Sequence, residues 1–468
     1  MSFSGFGFLF GFLPVALAGF WAASRFGPMA GAAWLLLCSL AFYGWADPVL
    51  AVGLAVSIEV HLAFGRAISA TEARPRRQTA ILAAGILLNL ASIGFARLLP
   101  APPPGISFIA FTQIGYLLDQ RGAPAGGRLS DALLIGFFPH LLAGPILRGW
   151  DVAGQFGAVR RGGSGLAIGS LYLLIGLLKK TLLADPLGSV VAAGFGDAGG
   201  LTLAAAWQAA LAWSFQLYFD FSGYSDMAVG LGRLFGVRLP HNFDSPYKAR
   251  SVIEYWQRWH ITLTRFLMST IHTPLTLAIM RRRRASGLAV DRAAQRGPAG
   301  FGAMILAPIA ITMVLAGVWH GWRAPFLVFG LLHAGFLVLN HAWRLWRGGA
   351  PAGGRPTDVA LTYLCVLVGA VVFRAPDLGT AGGVLAGMAG LHGLGPALPD
   401  ARTLLDVVWL AGLAAIIWLL PNSREIMEGQ GGWLRWRPSP GWAVAAGCAA
   451  TLGVLSMGGT NEFVYFQF

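Results

Sequence analysis

The sequence of 468 residues is too poor in charge for an ordinary soluble protein: charged residues make up 12% of it and hydrophobic residues 56%, against about a quarter charged in soluble domains. Its apolar segments run unbroken for about 20 residues, the length at which a helix crosses a bilayer, and they lack the alternation of a membrane β-barrel. The net charge of +14 does not indicate nucleic-acid binding, because the basic residues fall between apolar segments, as cytoplasmic topology determinants do.

The first half of the chain predicts four membrane-spanning helices followed by an irregular region. The predicted spans cover residues 6–23, 31–45, 49–64 and 79–99. No basic residue precedes the first apolar run, which favours an uncleaved first helix with its N-terminus outside. The loop after the third span carries the first strong basic cluster, so we place that loop in the cytoplasm. The segment 132–147 is short and has arginines on both sides, which predicts a re-entrant segment.

The rest of the chain contains further apolar segments that differ in length and in hydrophobicity. The amphipathic segment is 252–279, and the segment 380–391 is weakly apolar. The other apolar segments are 106–118, 166–178, 183–195, 201–219, 304–318, 325–338, 358–372, 404–420 and 442–455. The sequence therefore predicts an all-α polytopic membrane protein with about 11 transmembrane helices plus re-entrant segments, as a single integral membrane domain over residues 1–468.

Two polar islands interrupt this apolar background. The first covers residues 218–275 and holds several acidic, hydroxyl and imidazole side chains, and the second covers residues 317–323 around His320. Polar groups among membrane spans are costly, so they usually mark a functional site. We expect the two islands to meet in one active site, with His260 on the amphipathic helix and His320 in the turn of a hairpin.

Long motifs in both islands resemble one known family. They are YFDFSGYSDMAVGLGRLFG at 218–236, NFDSPYKARSVIEYWQRWHITLTRFL at 242–267 and GVWHG at 317–321. These motifs resemble the membrane-bound O-acyltransferases, above all the bacterial branch with the alginate O-acetyltransferase membrane subunit and the D-alanyl transfer protein of teichoic acid modification. The runs FLFGFLP, FFPHLLAGPILR and the terminal FVYFQF extend the resemblance over nearly the whole chain.

The resemblance implies a fold, a reaction and a partner. The fold is a ring of tilted helices around a central tunnel, in the bacterial inner membrane. The reaction moves an acetyl group from a cytoplasmic thioester donor, acetyl-coenzyme A, toward hydroxyls of an exopolysaccharide such as alginate. The partner is a periplasmic protein of the SGNH-hydrolase type. The family's essential histidine matches His320, and a second recurrent histidine matches His260.

The residues fit that chemistry unequally. Transfer to a hydroxyl requires a base, and histidine is suited to that role because its unperturbed pKa lies near neutrality. No serine or cysteine stands in a recognisable nucleophile motif, so we expect direct attack on the thioester by a hydroxyl that His320 deprotonates. His260 is a second catalytic group or an orienting one. Further candidates for the substrate tunnel are Trp319, Asn242, Asp226, Trp256 and Trp259.

Several alternatives remain open at this point. The donor can instead be a carrier protein charged with D-alanine or another acyl group, and a transporter or polysaccharide export channel is a reading from a different class. Bracing of helices explains Asp226 as well as catalysis does, and turn chemistry explains Asn242. No group of histidines and cysteines has the spacing of a metal site, so no metal is expected.

Overall fold

The computed structural model describes residues 2–122, 127–156, 163–348, 354–395, 400–458 and 463–464. Every regular element in these ranges is helical, and no residue in them belongs to a β-strand. Of the terminal motif FVYFQF, only Phe463 and Val464 fall within the described residues.

Eight helices in the described part of the chain are long and apolar enough to cross a membrane. They are Gly7–Phe26, Pro48–Ala70, Pro75–Ala96, Gly165–Gly196, Pro298–His320, Ala324–Trp346, Pro356–Arg374 and Ala401–Leu419. Four shorter apolar helices accompany them in the described ranges, and the count of about 11 spans stays a prediction. The chain is therefore an all-helical, multi-pass membrane protein, as its sequence predicts.

The chain forms two units, of which the first comprises the described parts of Met1–Leu182, Phe221–Asn242 and Ile426–Phe466. Its helices are α1 (Leu13–Ala23), α2 (Pro28–Tyr43), α3 (Pro48–Ala70), α4 (Pro75–Ala96), α5 (Ile106–Asp119), α6 (Arg128–Gly136), α7 (Phe138–Leu141), α8 (Gly149–Val152) and α9 (Gly163–Leu178). The last helix of the chain, which we number α23 (Pro440–Leu455), also belongs to this unit.

The second unit comprises the described parts of Leu183–Asp220 and Phe243–Glu425. Its helices begin with α10 (Gly188–Gly196) and α11 (Leu203–Leu234), whose residues after Asp220 belong to the first unit. The others are α12 (Val252–Arg258), α13 (Ile261–Leu267), α14 (Thr273–Ala285), α15 (Arg292–Arg296), α16 (Pro298–Phe301), α17 (Ala307–His320), α18 (Ala324–Trp346), α19 (Pro356–Arg374), α20 (Leu378–Met388), α21 (Ala401–Leu419) and α22 (Ser423–Met427), whose residues after Glu425 belong to the first unit.

Helix α4 shows why these elements need a bilayer. It is strongly apolar, yet only 22% of its apolar 18-residue window is buried inside the protein. Large side chains along it are exposed, among them Leu87 and Phe95, each 64% exposed. Apolar surface of this extent would drive aggregation in water, whereas lipid tails accept it without cost.

Glycines bring α9 and the end of α11 together in the first unit. A Cβ on Gly223 would lie 2.8 Å from the carbonyl oxygen of Gly176, and one on Gly230 would lie 2.6 Å from that of Gly169. These distances leave no room for a side chain, so the two backbones touch, as small residues allow between membrane helices. The glycines of the SGYSDMAVG motif therefore serve helix packing.

The predicted bounds of α11 and of the segments before it differ from the structure. The predicted span 201–219 continues as α11 to Leu234, because the polar residues that follow are buried in the helix rather than placed in a loop. The predicted segments 166–178 and 183–195 are joined by a π-helical turn at Lys179–Ala184.

The predicted amphipathic helix 252–279 is wrong as a single helix. The chain leaves the helix after Arg258, resumes it at Ile261, and passes through a π-helical turn at Met268–His272 before α14 begins. His260 therefore lies in the break between α12 and α13, not on a helix face.

Candidate active site

His320 lies at the end of α17 among aromatic rings of the second unit. Its imidazole is half-buried, and its centroid lies 4.4 Å from the Trp319 ring and 4.8 Å, edge-on, from the Phe373 ring. Phe329 and Phe326 follow at 6.1 and 6.3 Å. This shell limits the number of water molecules that can reach the imidazole, which strengthens electrostatic interactions there.

The hairpin of α17 and α18 fixes the position of that imidazole. A Cβ on Gly317 would lie 2.3 Å from the carbonyl oxygen of Phe326, and one on Gly330 would lie 2.6 Å from that of Met313. The two helices therefore pack with their backbones in contact. The predicted hairpin is confirmed, and His320 is the last helical residue of its first arm.

His260 has a backbone conformation that side chains rarely adopt. Its φ of 44° and ψ of 53° lie in the left-handed region, which costs a residue with a Cβ about 1–2 kcal/mol. Such outliers persist only where the surroundings hold them, and they cluster at functional sites. His260 is also only 2% exposed.

The environment of His260 favours its neutral form. Burial, and secondarily the nearby His320, lower the pKa of His260 to about 3. The electrostatic influence of His320 shows that the two imidazoles lie near one another within the second unit. The second half of the first island and the second island thus meet, as the sequence predicts.

Arg258 holds the chain just before His260. Its Nη1 donates to the carbonyl oxygen of Asp244 at 3.0 Å, and the backbone N–H of Asp244 donates to the Arg258 carbonyl at 3.0 Å. Its guanidinium also pairs with Glu254 at 2.8 Å, the i,i+4 pair that the sequence indicates. The Asp244 carboxylate in turn accepts from Asn422 Nδ2 at 3.0 Å. This set of bonds fixes the loop and the helix end on which His260 depends.

The tryptophans predicted beside His260 occupy different surroundings. Trp259 is 9% exposed, stacks with Tyr255 at 5.8 Å and meets Phe243 edge-on at 5.0 Å. Trp256 instead meets the ring of His333 edge-on at 5.2 Å. Trp319 is half-buried against His320. All three tryptophans therefore belong to the aromatic surroundings of the histidines in the second unit.

Sequence reasoning assigned no function to His333, which lies within α18. It is 2% exposed, and its ring lies 4.6 Å from that of Phe329, which also contacts His320. The signal available in the sequence was a lone imidazole inside an apolar span, a residue type that is rare at membrane depth and usually functional there.

Asp226 and Asn242 make their described contacts in the first unit. Asp226 accepts from Lys179 Nζ at 2.7 Å, and the two side chains are 9% and 13% exposed. Asn242 is 1% exposed and donates through Nδ2 to Ser225 Oγ at 3.3 Å. These contacts tie helices of the first unit together, whereas the histidine pair belongs to the second.

The chemistry available at the histidine pair is acid–base chemistry. Among the described residues, no three or more His, Cys, Asp or Glu side chains are grouped so as to hold a metal ion. The two imidazoles and the surrounding aromatic rings are suited to moving a proton in a water-poor site.

Comparison with known proteins gives consistent results. The model of the family described as "MBOAT, membrane-bound O-acyltransferase family" matches residues 135–290. The peptidoglycan O-acetyltransferase of Helicobacter pylori is 30% identical over 442 residues, covering 83% of this chain and 79% of that protein. The probable alginate O-acetylase AlgI of Pseudomonas fluorescens is 34% identical over 395 residues, covering 82% and 74%. The teichoic acid D-alanyltransferase of Streptococcus thermophilus is 28% identical over 248 residues, covering 51% and 57%.

Proposed function

Because the chain belongs to the membrane-bound O-acyltransferase family and is a multi-pass bacterial O-acyltransferase, we propose that it transfers an acetyl group from acetyl-coenzyme A to hydroxyls of an exported polysaccharide. The alignments with this chain cover most of the length of two relatives that are described as acetylating enzymes. The alignment with the D-alanyl relative covers only 57% of that protein. Acetyl is therefore the favoured acyl group, and alginate or peptidoglycan is the model for the acceptor.

The observation that carries the proposal is the half-buried His320 beside the buried His260. In the proposed reaction, the His320 imidazole takes the proton of an acceptor hydroxyl while the oxygen attacks the thioester carbonyl carbon. The tetrahedral oxyanion then collapses, the carbon–sulfur bond breaks, and the imidazolium returns the proton to the departing thiolate. The products are an ester and a free thiol, and no covalent acyl-enzyme is required.

His260 fits a different role because of its pKa. A base with a pKa of about 3 accepts a proton from a hydroxyl poorly, whereas general bases work best with a pKa near the operating pH. A neutral imidazole still carries one N–H, which can donate to the thioester carbonyl or to the oxyanion. We therefore assign proton transfer to His320 and polarisation or orientation of the donor to His260.

The other predicted residues and partners complete the proposal. Trp319, Trp256 and Trp259 line the donor path beside the histidines, and Asp226 and Asn242 are kept as candidates for the tunnel wall. A periplasmic protein of the SGNH-hydrolase type takes part in delivery of the acetyl group to the polymer. Support for these assignments comes from motif resemblance and, for the tryptophans, from their ring contacts in the second unit.

The test uses the purified full chain in lipid nanodiscs with labelled acetyl-coenzyme A and either mannuronate oligomers or peptidoglycan fragments. Each reaction is run with and without the periplasmic partner. We expect His320→Ala to slow transfer by about 10²–10⁴-fold, the usual contribution of a general base. His392→Ala, at an exposed histidine of the same unit, is the matched control and should transfer normally. Transfer at the wild-type rate by His320→Ala would overturn the proposal, and activity only with a D-alanyl carrier protein would change the donor.

A further inference from the structure

His333 carries a buried polar atom that the proposed reaction does not use. Its Nδ1 is buried and has no hydrogen-bond partner among the described residues. Its Nε2 faces α19, where a Cβ on Gly369 would lie 2.5 Å from it. The glycine therefore makes room for the imidazole. A buried nitrogen without a partner costs about 1–3 kcal/mol, so its retention calls for a bound group that satisfies it.

A second such atom stands beside the first. The indole Nε1 of Trp256 is likewise buried without a partner in the described ranges, and the two rings meet edge-on with centroids 5.2 Å apart. Indole N–H is a donor only, whereas a neutral imidazole nitrogen without hydrogen is an acceptor. The Trp256 side chain is only partly buried, which gives the pair an approach from the surface of its unit.

This pair lies one aromatic layer from the proposed base. The ring of Phe329 contacts His333 at 4.6 Å on one side and His320 at 6.1 Å on the other. Two further aromatic rings lie near that of His333, Tyr255 at 6.4 Å and Phe336 at 5.9 Å. A group suited to this place is therefore neutral and offers both an acceptor and a donor, and it lies within one ring of His320.

On the basis of the proposed function, we propose that Trp256 Nε1 and His333 Nδ1 form a subsite for a secondary amide in the arm of the thioester donor. The amide carbonyl accepts from Trp256, and the amide N–H donates to His333. A pantetheine arm has its first amide two methylene groups from the sulfur, which suits a subsite one ring layer from the base. Coenzyme A and acyl carrier proteins share this arm. An acetamido group of an amino-sugar acceptor offers the same hydrogen-bonding groups, and an exchange of acceptors distinguishes it from the amide of the donor arm.

The test compares two small acetyl donors on the full chain in nanodiscs. One is S-acetyl-N-acetylcysteamine, and the other is its isostere in which the amide N–H is replaced by an ester oxygen. Wild-type protein should use the amide donor about 10- to 100-fold better in kcat/KM, because the ester leaves His333 Nδ1 unpaired. In His333→Phe the ratio of kcat/KM between the amide and the ester donor should fall to about one. Only kcat/KM for the amide donor should decrease.

Two further variants separate a binding role from a structural one. His333→Asn keeps an oxygen acceptor near the Nδ1 position and should recover part of the preference. Trp256→Phe removes the donor to the carbonyl, which both compounds have, so both should slow while their ratio stays high. If His333→Phe does not fold, the wild-type and His333→Asn ratios carry the test, and a wild-type ratio near one refutes the subsite.

Exchanging the acceptor shows whether the amide bound at the subsite belongs to the acyl donor or to the acceptor. The preference for the amide donor should be equal with mannuronate oligomers, which have no acetamido group, and with peptidoglycan fragments, which do. A His333→Phe defect seen only with the acetamido acceptor would assign the subsite to the acceptor and overturn the donor assignment. If wild-type protein transfers from no thioester, the proposed function fails. Calorimetric binding of N-acetylcysteamine against its ester isostere then tests the subsite by itself, and equal affinities refute it.

Discussion

Replacing Arg258 tests whether the strained conformation of His260 is held by the bonds around it. Arg258→Leu removes the bond from Nη1 to the Asp244 carbonyl and the paired contact with Glu254. The ion pair is about one-third exposed, at 32% and 27%, so it contributes only about 0.5 kcal/mol. The charged bond to the carbonyl contributes about 1.5 kcal/mol. The sum of about 2 kcal/mol is similar to the cost of a left-handed residue.

Loss of that amount should let His260 leave its position rather than unfold the protein. A shift of about 2 kcal/mol lowers the population of the competent arrangement, and hence the transfer rate, by about 30-fold. The assay measures kcat and KM for acetyl transfer together with the thermal midpoint in detergent. We expect kcat to fall and the midpoint to change by only a few degrees.

The matched control is Arg250→Leu, which removes an exposed arginine from the same segment and should leave kcat unchanged. Glu254→Gln keeps a neutral hydrogen bond to Arg258 and should lower kcat by no more than about threefold. A wild-type kcat in Arg258→Leu would show that the bonds to Asp244 do not position His260 and would refute the reasoning.

Three further outcomes follow from packing and charge. Gly230→Ala would place a Cβ 2.6 Å from the carbonyl oxygen of Gly169 and should lower the free energy of unfolding by about 1–3 kcal/mol. The control Gly412→Ala has open space around the new Cβ and should not lower it. Equal thermal midpoints for the two variants would contradict this. Asp226→Leu removes the carboxylate that accepts from Lys179 Nζ and should cost about 3–5 kcal/mol, which Lys179→Met in the same chain should largely restore. Failure of that rescue counts against the ion pair. The folded-state pKa of His260 lies below its unfolded value, near 6.5, so unfolding takes up a proton between pH 6.5 and about 3 and stability falls as pH falls through that window. Between pH 7 and pH 5, the free energy of unfolding of His260→Gln should therefore fall by about 2 kcal/mol less than that of wild type. Parallel pH profiles of the unfolding free energy would refute the low pKa of His260.

The membrane-spanning helices were predictable because they depend on local composition, whereas the meeting of the two islands was predictable from their motifs. Continuous apolar segments predict helices in lipid whatever their neighbours are, and the paired motifs predicted that His260 and His320 lie together. The length of α11 was not predictable from hydropathy. Its last part carries Asp226 among other polar residues, and these are buried within the helix, where Asp226 accepts from Lys179 Nζ.

The break at His260 had no signal in the sequence. Neither glycine nor proline interrupts 252–267, and helix breaks without them come from tertiary contacts. The bonds from Arg258 to Asp244 supply that contact, and they join residues whose proximity no periodicity reveals. His333 was overlooked for a related reason, because the absence of a partner for its Nδ1 is a property of the folded neighbourhood and not of the residue.

The π-helical turns, in contrast, did have a signal that hydropathy ignores. Four such turns occur in the described residues, and each ends two residues before a proline. They are Gly7–Phe12 before Pro14, Lys179–Ala184 before Pro186, Met268–His272 before Pro274, and Gly302–Leu306 before Pro308. Proline has no N–H and its ring clashes with the carbonyl four residues earlier, and a wider turn moves that carbonyl away.

Two of these turns lie on the chain between the candidate histidines. One follows α13, which leads away from His260, and the other precedes α17, which ends at His320. Each inserted residue rotates the helix beyond it by about 100° relative to a regular α-helix. The turn before Pro308 therefore helps to set the direction in which the His320 imidazole leaves α17, whereas the turn before Pro274 sets the direction of α14 relative to α13. The orientation of His320 depends in this way on a turn that ends 14 residues before it in the chain.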